Sequence, residues 1–344
     1  MEGSESLLGV IMAGGRGTRL MPLTANRPKP MVPVLGRPVI DYVKDAMVAA
    51  GLSEIVVTTG YQGEQLVEHV DTWDVNSRVN QEESPMGTAG SVRLLSDELK
   101  ETFVVGSGDS VASFDITDLL ESHRKSGAKV TMALWRVDDP TEYGIVGLSE
   151  ANQGDVDSDL SEGFISRFKE KPTINEAFSN LINAGLYIIE PEVMDLIPEG
   201  EKYDFSKQLF PDVLSRGWPM YAKTVNGIWF DVGHPFELHN AQMALISGRD
   251  VLPFPMPDGE VLPDGSFISS SASVSGHVEK SIVLSGASVN GAIVNTVVMS
   301  NSKVNGVAES SIIGENSIVD SRVHNCVIGD GIHITIDLQN ERRG

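Results

Sequence analysis

Leu7-Leu8-Gly9-Val10-Ile11-Met12-Ala13-Gly14-Gly15-Arg16-Gly17-Thr18-Arg19-Leu20 opens with seven uncharged residues and closes on three glycines and two arginines. A continuous apolar run that ends in glycine is the pattern of a strand buried on both faces of a parallel sheet and feeding a loop. Glycines directly after such a strand let backbone amides approach phosphate oxygens, and Arg16 and the downstream Lys29 can supply positive charge beside them. The spacing is no dinucleotide fingerprint, because Leu20 stands where a third glycine is needed, and no Gly-Lys-Ser/Thr triplet makes a Walker loop.

Outward from this stretch, apolar runs and turn residues alternate. Strands are expected at 55–59, 103–106, 130–135, 145–148, 164–168, 186–189 and 228–230. Helices are expected from Pro38 to Gly51, over 63–69, from about Thr88, over 116–126 and over 236–247. The alternation predicts an α/β fold, a Rossmann-like doubly wound mixed sheet, with the loops after Ala13 and Gly106 lining one crevice at the carboxyl ends of the strands. Four prolines between Asp250 and Asp264 mark a linker, so the expected division is a catalytic domain over 1–249, a linker over 250–265 and a separate tail over 266–344.

The tail repeats every fifteen residues, in blocks beginning at Ser266, Ser281, Thr296, Ser311 and Cys326. Third positions are Ile268, Val283, Val298, Ile313 and Ile328; ninth positions are Val274, Val289, Val304, Val319 and Ile334. Short-period apolar columns announce a β-solenoid, in which each coil buries its side chains by stacking on its neighbours. Gly276, Gly291, Gly306 and Ser321 in the eleventh column are expected at tight corners.

Across the 344 residues, 26 basic against 48 acidic side chains leave a net charge of −22, which argues against nucleic acid or an anionic membrane as partner. Yet Ser6 to Ile40 holds no carboxylate while carrying Arg16, Arg19, Arg27, Lys29 and Arg37. That window reads either as a solvated loop or as a site for a small polyanion. Met1 to Ser6 lacks a basic n-region, and no apolar run is long enough to span a bilayer, so cytoplasmic residence is expected. Cys326 is the single cysteine, which excludes an internal disulfide or a thiolate cluster.

The segment from Ala13 to Leu20, with Pro22-Leu23-Thr24 and Pro28-Lys29-Pro30 behind it, resembles the signature of sugar-1-phosphate nucleotidyltransferases, and is most similar to that of mannose-1-phosphate guanylyltransferases. The resemblance covers roughly 7 to 247, and its motifs recur in family order: Pro85-Met86-Gly87-Thr88-Ala89-Gly90, Gly108-Asp109, Tyr143-Gly144, Glu170-Lys171-Pro172, Asn183-Ala184-Gly185-Leu186-Tyr187 and Trp229-Phe230-Asp231-Val232-Gly233. It implies nucleotide binding by Ala13, Gly14, Gly15, Gly17, Thr18, Gln81, Gly87 and Thr88. It implies sugar-phosphate binding by Tyr143, Gly144, Glu170, Lys171 and Asn183, and Mg²⁺ on Asp109 and Asp231. Met21, where the family often has arginine, and the glycine-rich Gly106-Ser107-Gly108 depart from the pattern. Taken singly, Asp109 reads as a helix cap, Lys171 as a turn lysine and Asp231 as a turn former. The shared order of the motifs is what those readings leave unexplained.

The implied reaction joins a nucleoside triphosphate to a sugar 1-phosphate and releases pyrophosphate. Arg16, Lys29 and Asp109 are its expected catalytic residues, and no general base is needed because the attacking phosphate oxygen is already ionised. GTP with mannose 1-phosphate is the leading pair, and thymidylyl or uridylyl transfer to glucose 1-phosphate is the alternative. Two further readings stand beside these: a silent regulatory subunit that binds a nucleotide-sugar, and an acetyl-CoA-dependent acyltransferase tail with His277 or His324 as base. The related tails are left-handed β-helices with eighteen residues per coil, so fifteen implies a shortened face, and homo-oligomerisation through the tail is expected.

Overall fold

A computed structural model describes residues 7–60 and 63–344; the Met1 to Ser6 reading lies outside them. Among these residues no helix is long and apolar enough to cross a membrane. The chain divides into two compact units. The first comprises residues up to Gly14, Val43–Gly108 and Ala112–Trp229; the second comprises Gly15–Tyr42, Asp109–Val111 and Phe230–Gly344.

The first unit is built on nine strands: β1 (Leu8–Met12), β2 (Glu54–Thr59), β3 (Asn76–Gln81), β4 (Phe103–Ser107), β5 (Val130–Arg136), β6 (Gly144–Ser149), β7 (Glu162–Glu170), β8 (Leu181–Ile189) and β9 (Met220–Thr224). They form one mixed sheet in the order β3-β2-β1-β4-β8-β5-β9-β7-β6. The neighbours of β1 are both parallel to it, pairing Met12 with Thr58 on one side and with Ser107 on the other. Central placement explains the unbroken apolar run: Val10 and Ile11 are fully buried, one on each face. The carboxyl ends of β1 and β4 lie side by side, and Gly108 N donates to Met12 O at 2.9 Å.

Helices α1 (Ile40–Ala49), α2 (Gly63–Val70), α3 (Gly87–Arg93) and α4 (Ile116–Ser126) follow the expected alternation, and α5 (Phe210–Ser215) is a further helix that the sequence reading did not include. In α4 the ends are written locally, with Asp115 accepting from Asp118 N and Gly127 at φ 62 closing the helix. One face of the sheet buries Val10, Val56, Phe103, Met132 and Tyr187, and against it Phe205 and Phe210 pack with ring centroids 5.0 to 5.6 Å apart.

In the second unit, α6 (Pro235–Ser247) starts on His234 with proline in its first turn and buries Leu238, Ala241, Leu245 and Ile246. Its buried Gln242 is satisfied within the unit, accepting from Leu35 N at 3.0 Å and donating to Leu238 O at 3.0 Å. The tail is a parallel β-helix of three stacked sheets, and successive strands pair at a shift of fifteen residues. Inside the segment expected as a linker, Gly259–Val261 forms a strand antiparallel to Phe267–Ser269.

The third and ninth columns form the core, with Val283, Val298, Ile313, Ile328, Val289, Val304 and Val319 at most 0% exposed. The eleventh column lies at a corner as expected, between strands such as Ser273–Val274 and His277–Glu279 of two different sheets, and close approach of the next coil is what keeps it small. Its glycines are not left-handed; a Cβ on Gly291 would lie 1.7 Å from Gly306 O of the next coil. Left-handed residues fall in the fifteenth column, at Lys280, Asn295, Ser310, Asn325 and Asn340, and in the sixth, at Gly286, Asn301, Asn316 and Gly331, where asparagine and glycine tolerate positive φ well. First-column hydroxyls make a buried ladder: Thr296 N donates to Ser281 Oγ at 3.0 Å, and Cys326 N to Ser311 Oγ at 3.0 Å. Cys326 is buried at the end of that ladder.

Candidate active site

The Gly15–Lys29 loop begins where β1 ends. Gly17 is left-handed at φ 62, and a Cβ there would strike Lys29 Cβ at 2.9 Å and Thr24 Cγ2 at 3.0 Å. Thr24 Oγ1 donates to Gly17 O at 2.8 Å, so the loop folds back on itself and brings Lys29 beside its own start. Gly14 and Gly15 differ: neither has positive φ, and a Cβ on either would meet open space. Folding does not require glycine at these two exposed positions, whereas close approach of a ligand to the backbone does. Arg16 and Thr18 are exposed on the same stretch, and Ala13 is buried at its root.

Lys29 is drawn inward, with its side chain only 8% exposed, and its Nζ donates to Asp109 Oδ2 at 2.7 Å and to Asp231 Oδ1 at 2.8 Å. Residues 80 and 202 positions away thus meet at one ammonium. Val232 N donates to Asp109 O at 3.2 Å, which fixes the two aspartates as backbone neighbours. Burial alone would lower the Lys29 pKa, but the two carboxylates outweigh it and hold the ammonium above its ordinary value. Glu237 is raised by burial first and by the charge of Asp231 second.

The same pair suits a divalent ion. Asp109 and Asp231 are hard oxygen donors, 30% and 28% exposed, already aimed at one cation. Among the described residues no group of three or more His, Cys, Asp or Glu is arranged to hold a metal. An ion held by these two carboxylates would take its remaining donors from other oxygen atoms, phosphate and water among them.

The first unit gathers the sugar-phosphate candidates. Gly144 pairs with Glu170 across β6 and β7, and a Cβ on Gly144 would lie 2.8 Å from Glu170 Oε2, so glycine here admits the carboxylate. Lys171 is left-handed at φ 44 directly before Pro172, an uncommon backbone for lysine, and its N donates to Tyr143 O at 2.9 Å. The Tyr143 ring stands edge-on to Trp229, whose Nε1 donates to Ala184 O at 2.9 Å. Asn183 Nδ2 donates to Tyr187 Oη at 2.8 Å, and its Oδ1 accepts from Gly185 N. Burial, then Asp204, raises the Glu170 carboxyl, against the pull of Lys171 and Lys207. Ser206, which sequence reasoning missed, bonds to both Glu170 and Asn183.

At the other candidate loop, Gly87 is left-handed and a Cβ there would lie 2.5 Å from Tyr203 O, which also accepts from Ala89 N and Gly90 N. Glycine at 87 thus has an intramolecular reason. Thr88 Oγ1 donates to Asp204 Oδ2 and accepts from Phe205 N, and Gln81 is exposed at the end of β3. Glu82, also missed, accepts from Met86 N and Ser91 Oγ and so shapes this loop. His277 and His324 on the tail are 62% and 45% exposed, beside Glu279 and Glu309.

Residues 8–248 match the model of the family described as Nucleotidyl transferase. The chain is 35% identical over 276 residues to a mannose-1-phosphate guanyltransferase of Eremothecium gossypii, a match covering 78% of this chain and 73% of that one. It is 37% identical over 234 residues to the mannose-1-phosphate guanyltransferase of Saccharomyces cerevisiae, covering 66% and 61%. To a UTP--glucose-1-phosphate uridylyltransferase of Synechocystis it is 31% identical over 271 residues, covering 74% and 67%. Enzymes of this family generally use a divalent metal. The chain belongs to the nucleotidyl transferase family, among its sugar-1-phosphate nucleotidyltransferases.

Proposed function

We propose that the chain transfers guanylyl from GTP to mannose 1-phosphate, giving GDP-mannose and pyrophosphate, with Mg²⁺ as its metal. The observation that carries the chemistry is Lys29, buried and braced between Asp109 and Asp231 at the end of an open glycine loop. The choice of nucleotide and sugar is supported by the relatives that bear the guanyltransferase name.

The two substrates are both anions, and attack of a sugar-phosphate oxygen on the α-phosphorus needs charge neutralised and atoms aligned. Gly14, Gly15, Gly17 and Thr18 offer backbone to the triphosphate. Arg16 stabilises the departing pyrophosphate, and Lys29 contributes a positive charge with little freedom to move. Lys171 holds the incoming sugar phosphate, while Glu170 and Asn183 accept and donate to sugar hydroxyls, with Tyr143 and Gly144 forming the wall behind them. Gln81, Gly87 and Thr88 face the base. Asp109 and Asp231 would hold the ion, which when bound would supply Lewis-acid polarisation of a phosphate.

Uridylyl transfer to glucose 1-phosphate is a second reading, favoured by the uridylyltransferase relative at 31% identity. Pyrophosphate release from four nucleoside triphosphates against glucose, mannose, galactose and N-acetylglucosamine 1-phosphates decides between them. Fastest turnover with GTP and mannose 1-phosphate is expected, and preference for any other pair overturns the proposal.

A further inference from the structure

The fifth column of the tail reads Ser270, Ser285, Ser300, Glu315, Asp330, and the fourth reads Ser269, Leu284, Met299, Gly314, Gly329. In the last two coils, then, a small hydroxyl becomes a carboxylate and the residue before it loses its side chain. A solenoid needs neither change, since coils stack through the other columns.

What lies there is the Gly15–Lys29 loop, which belongs to the same compact unit. Arg27 Nη2 bonds to Glu315 Oε2 at 2.7 Å and to Asp330 Oδ2, and the three side chains are 17%, 25% and 19% exposed. Burial opposes charge on Arg27, but the two carboxylates outweigh it and raise its pKa above the ordinary value. Asp330 is itself aimed, since its Oδ1 accepts from Glu315 N at 2.8 Å. A Cβ on Gly329 would lie 3.2 Å from Pro22 Cβ, so glycine there leaves room for the loop. Arg342, from the last strand, donates to Arg19 O at 2.6 Å and to Met21 O at 3.2 Å.

Arg27 is separated from Lys29 by Pro28 alone, and Pro30 follows. Proline fixes φ, so the segment Arg27-Pro28-Lys29-Pro30 has few ways to bend. Anchoring Arg27 therefore restricts where Lys29 begins, and Lys29 is the residue that bridges the two aspartates.

We propose that the last two coils of the solenoid act as a positioning element for nucleotidyl transfer: Glu315 and Asp330 through Arg27, and Arg342 through the Arg19 and Met21 carbonyls, hold the phosphate loop in its working shape. This rests on the reading of the loop given under the proposed function. It assigns the tail a part in the reaction rate, in addition to any part in assembly.

The test uses the full chain. Asp330→Asn keeps an acceptor for Glu315 N and removes the charge; Glu315→Gln removes the other. Together they are expected to lower kcat by on the order of tenfold or more, the scale on which small misplacements act, and to leave the KM for sugar 1-phosphate unchanged. Arg27→Met should reproduce that loss, and Arg27→Lys should recover most of it. Hydrogen exchange supplies a readout besides rate. The Leu20, Leu23 and Val32 amides, bonded within the loop, should exchange faster in the double variant, while the Ile282 and Val297 amides of the early coils should not change. Wild-type kcat with unaltered loop exchange overturns the inference alone. Faster exchange throughout the tail also overturns it, because the carboxylates would then be supports of the solenoid. Absence of pyrophosphate release by the wild-type chain with every substrate pair overturns the proposed function first, and this inference with it.

Discussion

Two lysines proposed to meet phosphate are held in opposite ways. Lys29 is 8% exposed with two aspartates under 3 Å away, whereas Lys171 is 53% exposed and its nearest carboxylate, Glu142, is 3.5 Å away. Lys29 has its side chain fixed on a relaxed backbone; Lys171 has a loosely held side chain on a left-handed backbone before a proline. The difference teaches where each region stores its order. The loop around Lys29 is preorganised by charge, as a group that must meet developing charge should be. The turn around Lys171 is preorganised by backbone and leaves the ammonium more than half exposed, as its proposed part in holding sugar phosphate needs.

The comparison breaks first at Asp109. Asp109→Asn leaves the buried ammonium with a single full partner, and turnover is expected to fall by about a hundredfold or more. Pyrophosphate release measures it, and a melting curve close to wild type shows that folding survives. Arg16→Ala is expected to lose a similar factor; near wild-type kinetics in either variant would remove the assignment.

Lys171→Gly sharpens the contrast, because it removes the side chain and relieves the backbone together. The KM for sugar 1-phosphate should rise by about tenfold or more, the size of one lost charged hydrogen bond, while the melting temperature stays level or increases. A matching fall in stability would mean that the left-handed turn is not strained. The acid limb of the KM profile is the next effect. The raised carboxyl of Glu170 takes up its proton on the neutral side of the ordinary glutamate range, so its charged form is lost early on acidification. KM for sugar 1-phosphate should climb there and Glu170→Gln should flatten the profile; an unchanged profile in the variant places the titration elsewhere.

The smallest effect on rate is expected in the early coils. Ser281→Ala deprives the buried Thr296 N of its acceptor, a loss of about 1–3 kcal/mol. Thermal unfolding should show it while turnover stays at the wild-type level, and lost turnover would extend the influence of the tail beyond its last two coils.

Much of this was legible in the sequence because it is local or periodic. The run from Leu7 to Ala13 announced a central strand, and the fifteen-residue columns announced stacked coils. Strand β3 was not visible: Asn76–Gln81 has no apolar alternation and no fully buried residue. Strand β9 also went unread, as did Gly259–Val261 in a segment whose prolines signalled only a linker. The convergence of Lys29, Asp109 and Asp231 was implied by family order but has no local signature, since it joins residues far apart in the chain. The partners of Arg27 lie 288 and 303 positions away, beyond any periodic reading. A signal for them did exist, in the change from serine to acid in one column of the repeat.

The hydroxyl ladder repeats the same contact from coil to coil, and proteins built in this way can in principle gain or lose whole repeats. Here that freedom is curtailed. Each coil inserted before Glu315 would advance the stack by one strand spacing, about 4.8 Å, and would carry Glu315 and Asp330 out of reach of Arg27. The Arg27 pairings thus tie the count of coils between α6 and Glu315 to the position of an arginine near the start of the chain.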